Sequence, residues 1–333
     1  MWRSFFKNRD WFIWAYGGLT LILSLLVVQV YLDVLFNNWY KEFYDILQTA
    51  TDRNISEFWN SIKKFLYIAL PYVTIYAFTN WFTRLWAFRW REAITYSYMP
   101  YWKSTDAKVE GASQRIQEDC KEFAKILEEI GLRVVKAIMT VIAFVPILWI
   151  LSSNVVVPFL KDISGSLVWV CLILSIGGLI ISWFVGIKLP GLEYNNQKVE
   201  AAFRKELVYG EDDRVKYAGM NIIIKLFTGV KFNYHRLFLH YGYFDLWSIW
   251  YRQLFVIVPF LIMAPGLFTA AYTLGIMMQV VNAFGEVKDA FSVFLYQWVK
   301  INELRSIHKR LKEFETAINY NENIDKNFIK EKI

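Results

Sequence analysis

The chain has 333 residues, of which 56% are hydrophobic and 19% aromatic, and its formal net charge is +7. Its mean hydropathy of +0.28 exceeds that of an ordinary soluble domain, so the composition indicates a membrane protein. The Lys and Arg residues lie between long apolar stretches instead of on one basic face, which argues against a nucleic-acid-binding protein.

Six apolar stretches are each long enough to cross the roughly 30 Å hydrocarbon core of a bilayer as a helix. In chain order these predicted spans are residues 11–36, 63–88, 134–152, 166–188, 243–265 and 268–299. The first stretch is too long for a signal-peptide core and lacks a small-residue cleavage site, so we expect an uncleaved span. The sixth is the least apolar, because Glu286, Lys288 and Asp289 interrupt it. The predicted fold class is an all-α integral membrane protein.

Basic residues are concentrated before the first span, in the connections 89–133 and 189–240, and after the sixth span. The remaining connections hold few cations. Because Lys and Arg are retained on the cytoplasmic side, both termini and both long connections are predicted to be cytoplasmic. Residues 300–333 are then a cytoplasmic tail, and residues 1–333 form a single transmembrane domain.

Both long connections show helical periodicity. Apolar residues recur from residue 105 to residue 130 without a stop signal, so one helix is predicted to run from the cytoplasm into the third span. After the fourth span, Pro190 and Gly191 allow a break or a kink, and the following residues again have a helical pattern. The predicted packing stripe of that helix consists of Leu192, Val199, Phe203 and Leu207. Long helices with short outer and long inner connections indicate the architecture of an ABC-exporter transmembrane domain.

Five stretches of the chain resemble the SbmA/BacA family of peptide-antibiotic importers. They are FYDILQTA (43–50), FRWREAITYSYM (88–99), VEGASQRIQED (109–119), KAIMTVIAFVPIL (136–148) and GIKLPGLEYNNQKVEAAFRKELVYGEDD (186–213). The stretches follow the family's order and are spread across nearly the whole chain. The basic residues singled out within them are Arg89, Arg91, Arg115 and Arg204.

The resemblance implies a homodimer with an exporter-like transmembrane fold and no ATPase domain. Such proteins take up antimicrobial and other peptides across the bacterial inner membrane at the expense of the proton gradient. Protons would be the coupling ion, and no other cofactor is implied. Longer relatives carry an additional N-terminal membrane segment, whereas here the shared core begins almost at Met1, so the effect of that segment on dimer contacts is left open.

Motifs for enzymatic chemistry are not found in the sequence. No GxxxxGK[ST] phosphate-binding loop occurs, so the chain is not predicted to be an ATPase or another enzyme. Residues 174–178 read LSIGG, which faintly resembles an ABC signature loop, but small residues inside a span more often permit close helix packing. The histidines lack metal-ligand spacing, so no metal is predicted. The two cysteines, Cys120 and Cys171, do not indicate a disulfide framework.

Without an ATPase, concentrative uptake needs groups that gain and lose a proton, and carboxylates in a partly desolvated cavity meet that need. The candidates within the family-like stretches are Glu110, Glu118, Asp119, Glu193, Glu200, Glu206 and Glu211. These carboxylates would also bind the guanidinium groups of arginine-rich peptides. The alternative is that they are solvated faces of amphipathic cytoplasmic helices.

Five charged residues lie in the fifth and sixth spans, where a charge is unfavourable unless it is paired or hydrated. They are Asp245, Arg252, Glu286, Lys288 and Asp289. Counting 1.5 Å per residue from the turn at residues 265–266 places Asp245 and Glu286 at one depth, which predicts an Asp245–Lys288 pair. That pair either locks the hairpin or relays protons. Arg252 lies deeper and is predicted to face a cavity or to neutralise a carboxylate.

The sequence therefore favours proton-driven import of peptides from periplasm to cytoplasm by a homodimer. Two alternatives stay open at this point. One is a permease energised by a separate ATPase, and the other is a non-transporting membrane protein that affects envelope lipids.

Overall fold

The computed structural model describes residues 1–105, 111–153, 163–213 and 215–320, and these residues form helices without any strand. The helices are α1 (Trp2–Phe6), α2 (Gly18–Gln48), α3 (Ile55–Ser104), α4 (Ala112–Gln114), α5 (Cys120–Ser152), α6 (Ser166–Gly186), α7 (Leu189–Asp212), α8 (Met220–Phe268), α9 (Leu274–Tyr296) and α10 (Trp298–Ala317). Short 3-10 segments cover Arg9–Trp11 and Ala50–Asp52, and π-helical segments cover Ile13–Gly17 and Arg115–Asp119. The all-α prediction is confirmed.

Within the described residues, four helical stretches are long and apolar enough to cross a membrane. They are Ile13–Gln48, Ala112–Ser152, Ser166–Asp212 and Met220–Phe268. They contain the predicted spans three, four and five and all but the first two residues of span one. The predicted second and sixth spans lie in α3 and α9, which are not among these four. In α3 many membrane-depth positions are Tyr, Trp or Thr instead of aliphatic residues, and α9 carries the charges noted above. The count of six spans stays a prediction.

The long connections have the helical structure that their periodicity predicts. One continuous helical stretch covers Ala112–Ser152 and includes the π-helical segment Arg115–Asp119. Residues 106–110, near the start of the predicted helix, lie outside the described part of the chain. The next helix breaks after Gly186, and Pro190 lies in the first turn of α7, where its missing N–H leaves no helical hydrogen bond unmade.

Helices α2, α3, α5 and α9 pack together in the centre of the bundle, and α6 and α8 pack against α9. The turns at residues 49–54 and 269–273 lie at one end, here named the hairpin end. Helices α1 and α10 lie at the opposite end, here named the tail end. At the tail end Phe5 stacks on Trp90 with 5.4 Å between ring centroids, and both side chains are buried. Aromatic burial of this kind fixes α1 against α3.

The LSIGG stretch packs closely against α8, which supports the packing interpretation. A side chain at Gly178 would overlap the ring of Tyr251. The Tyr251 hydroxyl donates a hydrogen bond to the carbonyl oxygen of Leu174 at 3.2 Å. Small residues here therefore bring two helices together, as is common in membranes.

Helix α7 packs mainly against the first half of α8, and we name residues 189–245 the α7–α8 arm. Leu192 is buried, and Phe203 contacts Phe227 of α8 with 5.8 Å between ring centroids, as the predicted stripe requires. The prediction is wrong for Leu207, which is 42% exposed.

Candidate functional site

An ion pair is buried between three helices at the centre of the bundle. The Asp33 carboxylate on α2 lies 3.2 Å from the Lys136 ammonium on α5, and Lys136 donates to the hydroxyl of Tyr72 on α3 at 3.5 Å. Asp33 is only 8% exposed. All three residues lie within predicted membrane spans, where an unpaired charge would be strongly unfavourable. The pairing explains how both charges are tolerated at this depth.

A second carboxylate lies near this ion pair. Glu286 on α9 is partly buried, and the charges that act on it are Asp33, Lys136 and Asp289. Asp289 is mostly exposed and has its own partner, Lys288, at 2.9 Å. Of the two carboxylates, Asp33 contacts Lys136 directly, whereas Glu286 interacts with it only electrostatically. A group of two carboxyls and one ammonium is electrically neutral only when one of the carboxyls carries a proton.

A polar cavity of about 510 Å³ reaches this cluster from the tail end, between α2, α3 and α5. Lys136 lies at its deep end, near Gln29, whose amide donates to the hydroxyl of Thr79 at 2.8 Å. The charged residues around the cavity are Arg84, Lys125, Glu128, Glu129, Arg133 and Lys136. From Lys125 to Lys136 the helix rises about 16 Å, so the cavity extends far into the bundle.

The two glutamates of the cavity are held by cations of neighbouring helices. Glu128 lies 3.7 Å from Arg84 on α3, whereas Glu129 is paired with Arg133, at 3.6 Å, and with Lys300 of α10. Partner cations that are more than a third exposed contribute little stability, so these pairs mainly set the charge of the wall.

Amide side chains join α2 to α9 between the cluster and the hairpin end. The Gln279 amide donates to Asn38 at 2.9 Å, and the Asn282 amide donates to Asn37 at 3.0 Å. Asn37 is 0% exposed, and its own amide nitrogen has no hydrogen-bond partner among the described residues. These four residues are named the amide ladder.

The hairpin end of this interface is fixed by caps on the first turn of α9. The backbone N–H of Leu274 donates to the side chain of Gln48 at 2.7 Å, and that of Gly275 donates to Asp45 at 3.0 Å. Both acceptors belong to α2. They satisfy helix N–H groups that otherwise lack partners, and the Asp45 charge is favourable at a helix N-terminus.

Asp119 is the only buried member of the described candidate carboxylates, and its surroundings argue against proton exchange. Arg310 of α10 binds it through two contacts of 2.6 and 3.0 Å, and Arg115 binds it at 2.8 Å. Burial alone would raise the pKa of Asp119, but the hydrogen bonds from Arg310 and Arg115 outweigh burial and hold that pKa below its usual value. The residue fastens α10 to the rest of the tail end.

The other candidate carboxylates differ in position. Glu118 and Glu211 are exposed, Glu193 and Glu200 are partly buried on α7, and Glu110 lies outside the described residues. Glu206 accepts from the backbone N–H of Ala218 at 3.0 Å and thereby closes the α7–α8 turn. The structure does not bring these residues together with Asp33, and their role in proton binding stays a prediction.

The predicted Asp245–Lys288 pair is wrong. Lys288 pairs with its neighbour Asp289. Asp245 is exposed on α8, and both Asp245 and Glu193 act electrostatically on Tyr241. Equal depth along two helices did not place the side chains on facing sides. Arg252 is exposed on α8 and has no ion pair within the described part of the chain.

The basic residues of the family-like stretches have structural contacts at the tail end, with one exception. Arg89 donates to Glu92 at 2.8 Å and lies over the ring of Trp14, and Arg91 reaches the backbone oxygen of Gln117 at 3.5 Å. Arg115 binds Asp119, as described above. Arg204 is exposed on α7. No group of three or more potential metal ligands comes together among the described residues.

Sequence reasoning missed Asp33, Lys136 and Tyr72. The signal was present, because an ionisable residue inside a predicted span is itself a sign of a functional or paired group. Asp33 lies in the first span and Lys136 in the third, but only the charges of the last two spans were considered. Asp33 and Lys136 are about a hundred residues apart in sequence, so neither span alone indicates that the two residues pair.

Comparison with known proteins agrees with this architecture. The chain is 26% identical over 88% of its length to the inner membrane ABC transporter ATP-binding protein YddA of Escherichia coli, 56% of which is covered. It is 24% identical over 96% of its length to ABC transporter D family member 2, chloroplastic, of Arabidopsis thaliana, 46% of which is covered. An uncharacterized ABC transporter ATP-binding protein of Synechocystis is likewise 24% identical over 94% of the chain and 47% of the relative. The chain thus spans about half the length of the curated relatives it matches.

Residues 8–319 match the SbmA/BacA-like family, which is nearly the whole chain. The names of the relatives fit the predicted ABC-exporter-like transmembrane fold. The chain therefore belongs to the SbmA/BacA-like family, and its helices are those of a multi-pass membrane protein of the transporter class.

Proposed function

We propose that the chain is the membrane domain of a proton-driven peptide importer that works as a homodimer in a bacterial inner membrane. The observation that carries this proposal is the cluster of Asp33, Glu286 and Lys136 inside the bundle. An ion pair with a second carboxyl close by can bind one proton reversibly, and a transporter driven by protons needs such a site. Membership in the SbmA/BacA-like family supports peptides as the cargo.

The orientation follows from the distribution of positive charge. The exposed cations around the cavity mouth, Arg84, Lys125 and Arg133, lie toward the tail end. Since basic residues are retained in the cytoplasm, the tail end faces the cytoplasm and the hairpin end faces the periplasm. Protons then enter from the hairpin end, and both termini are cytoplasmic.

The peptide path lies between two copies of the chain, beside the α7–α8 arms. Glu193 and Glu200 are partly buried on α7, where carboxylates attract the guanidinium groups of arginine-rich peptides. In this scheme the α7 carboxylates hold cargo, and the central cluster binds the coupling proton. One protomer supplies only half of the path, which is why the proposal includes a homodimer.

The decisive experiment uses the purified chain in lipid vesicles and a fluorescent arginine- and proline-rich peptide. We expect accumulation of the peptide when an inward proton gradient is imposed without ATP, and loss of accumulation when an ionophore collapses the gradient. Replacing both Glu193 and Glu200 with Gln should abolish uptake while the dimer still assembles. If the unmodified protein accumulates no peptide when the inward proton gradient is imposed, the proposal is rejected.

A second candidate is supported by the names of the relatives. Several are named as ABC transporter ATP-binding proteins. The chain covers about half the length of these relatives. On this reading ATP hydrolysis by another polypeptide drives the same membrane domain. The vesicle assay distinguishes the two, because uptake would then require ATP and the copurified partner and would not respond to the ionophore.

A further inference from the structure

We infer that the coupling proton crosses the membrane inside each protomer, along the amide ladder to the Asp33–Lys136–Glu286 cluster and then through the cavity between α2, α3 and α5. The peptide would use a different route, between the protomers. This inference rests on the proposed function, and it adds a path and its residues.

The ladder residues lie on facing sides of two antiparallel helices and lead directly to the cluster. On α9 the residues Gln279, Asn282 and Glu286 are three and four positions apart, which places them on one helix face. Asn37 lies four residues from Asp33, which is about one turn of α2 closer to the hairpin end. Polar groups therefore continue from the exposed Asn38 to the buried carboxylates.

The burial of these residues indicates a path instead of an isolated acidic group. Asn38 is exposed, whereas its partner Gln279 is 6% exposed and Asn37 is 0% exposed. The Asn37 amide nitrogen has no hydrogen-bond partner among the described residues. Buried groups of this kind bind internal water, and water is what carries a proton past amides that do not themselves titrate.

The length of the path matches a membrane. From Asp45 at the hairpin end to Asp33 is a rise of about 18 Å along α2, and the cavity adds about 16 Å along α5 from Lys136 to Lys125. Together these slightly exceed the roughly 30 Å thickness of the hydrocarbon core. The ladder and the cavity meet at the ion pair, where the Asp33 carboxylate lies 3.2 Å from the Lys136 ammonium. No apolar stretch separates them at that point.

The proton step conserves charge at each stage. A proton arriving along the ladder binds the carboxylate of Glu286 or Asp33, and the cluster becomes neutral. Release into the cavity returns that carboxylate to its ionised form beside Lys136. The titratable groups outside the cluster that act on it are Tyr72 from α3 and Asp289 from α9.

The test replaces one ladder amide by an apolar side chain of similar size, Asn282→Leu, in vesicles containing the full chain. We expect gradient-driven peptide accumulation to fall by about tenfold or more, within the range usual for coupling between two sites. Peptide counterflow, the exchange of labelled for unlabelled peptide without a gradient, should be retained. The matched control is Asn60→Leu, the same change at an exposed position of α3, which should keep both activities.

Conservative variants guard against misfolding of Asn282→Leu. Glu286→Gln and Asp33→Asn keep size and hydrogen bonding but remove the extra carboxylate, and both should uncouple accumulation from the gradient while counterflow persists. Accumulation at the unmodified level in these variants would overturn the inference. So would a parallel loss of counterflow and accumulation, because the ladder would then only hold α2 against α9.

A spectroscopic readout keeps the inference separable from the proposed function. An infrared difference spectrum between two pH values, recorded on the protein in lipid without peptide, should show a carboxyl band that Glu286→Gln or Asp33→Asn removes and Glu42→Gln, an exposed carboxylate of α2, leaves. Absence of the band overturns the proton site even if peptides are transported. Its presence in a protein that shows no peptide counterflow would reject peptide import and retain the path.

Discussion

Two buried aspartates of this chain have opposite surroundings, and the difference decides what each can do. Asp119 has two arginines for one carboxylate, so the ionised form is strongly favoured and no proton is exchanged near neutral pH. Asp33 contacts a single lysine and has a second carboxylate, Glu286, near that pair, and in the proposed scheme this group binds one proton. In that scheme the ratio of cations to carboxylates, and not burial alone, separates a structural acid from a proton carrier.

The lowered pKa of Asp119 predicts an acid-dependent loss of the contact with α10. A carboxylate whose folded-state pKa lies below its unfolded value of about 3.9 stabilises the folded form above that value and loses this contribution as pH falls further. We expect the amide protection of α10 in hydrogen exchange to decrease below about pH 4. Asp119→Asn should weaken protection already at neutral pH, and Glu313→Gln, an exposed change on α10, should not. Unchanged protection down to pH 3 in the unmodified protein would contradict this role.

Helix α9 shows how an element of moderate hydropathy is buried in a membrane bundle. Its apolar face, which includes Val280, Phe284 and Val287, is fully buried and packs toward α5, α6 and α8. Its polar face is turned to α2, where hydrogen bonds replace water. Hydropathy averages the two faces and therefore underestimates how well the helix is accommodated.

Close contact between α2 and α9 depends on Gly275. A side chain there would overlap the backbone oxygen of Lys41 and the carboxylate of Asp45, so Gly275→Ala should force the helices apart. We expect a loss of about 1–3 kcal/mol, as for other overpacked contacts. Gly285→Ala on the same helix has open space around it and should raise stability by about 1 kcal/mol through helix propensity. Thermal unfolding in detergent compares the two, and equal effects would refute the packing argument.

At the scale of the molecule, the α7–α8 arm is the part that a single protomer leaves uncovered. Phe227, Phe232 and Phe238 are each more than half exposed, and all three lie before the predicted span 243–265. In the proposed topology these positions are cytoplasmic, so lipid does not cover them. A surface of this kind usually serves as a protein contact, which agrees with the proposed homodimer.

The mass of the protein in detergent tests that assembly. Light scattering should give about twice 39.5 kDa for the unmodified chain, after subtraction of detergent. Phe238→Glu places a charge on the arm's apolar surface and should shift the protein toward the monomer mass. Val215→Glu makes the same kind of change at a fully exposed position of the α7–α8 turn and should leave the dimer intact. A monomeric unmodified protein would contradict the proposed homodimer.

Periodicity and punctuation predicted the helical architecture well. The break at Pro190 and the helix that enters the third span followed from local rules, because a helix end depends on residues within one or two turns. The long-range pairs did not follow. Asp245 and Lys288 share a depth but not a facing side, and the Asp33–Lys136 pair depends on how α2 and α5 rotate about their axes. Rotation is set by packing of the whole bundle, which a single stretch of sequence does not contain.

Burial of both cysteines has a practical consequence for following the transport cycle. Cys120 and Cys171 are 0% and 1% exposed, and burial raises the pKa of the Cys120 thiol to about 12. The thiolate is the form that attacks a thiol-reactive label, so neither buried native sulfur competes for a spin label or a fluorophore in the folded protein. A single cysteine introduced at the tip of the α7–α8 arm would thus report distances between two copies while the surrounding sequence stays native.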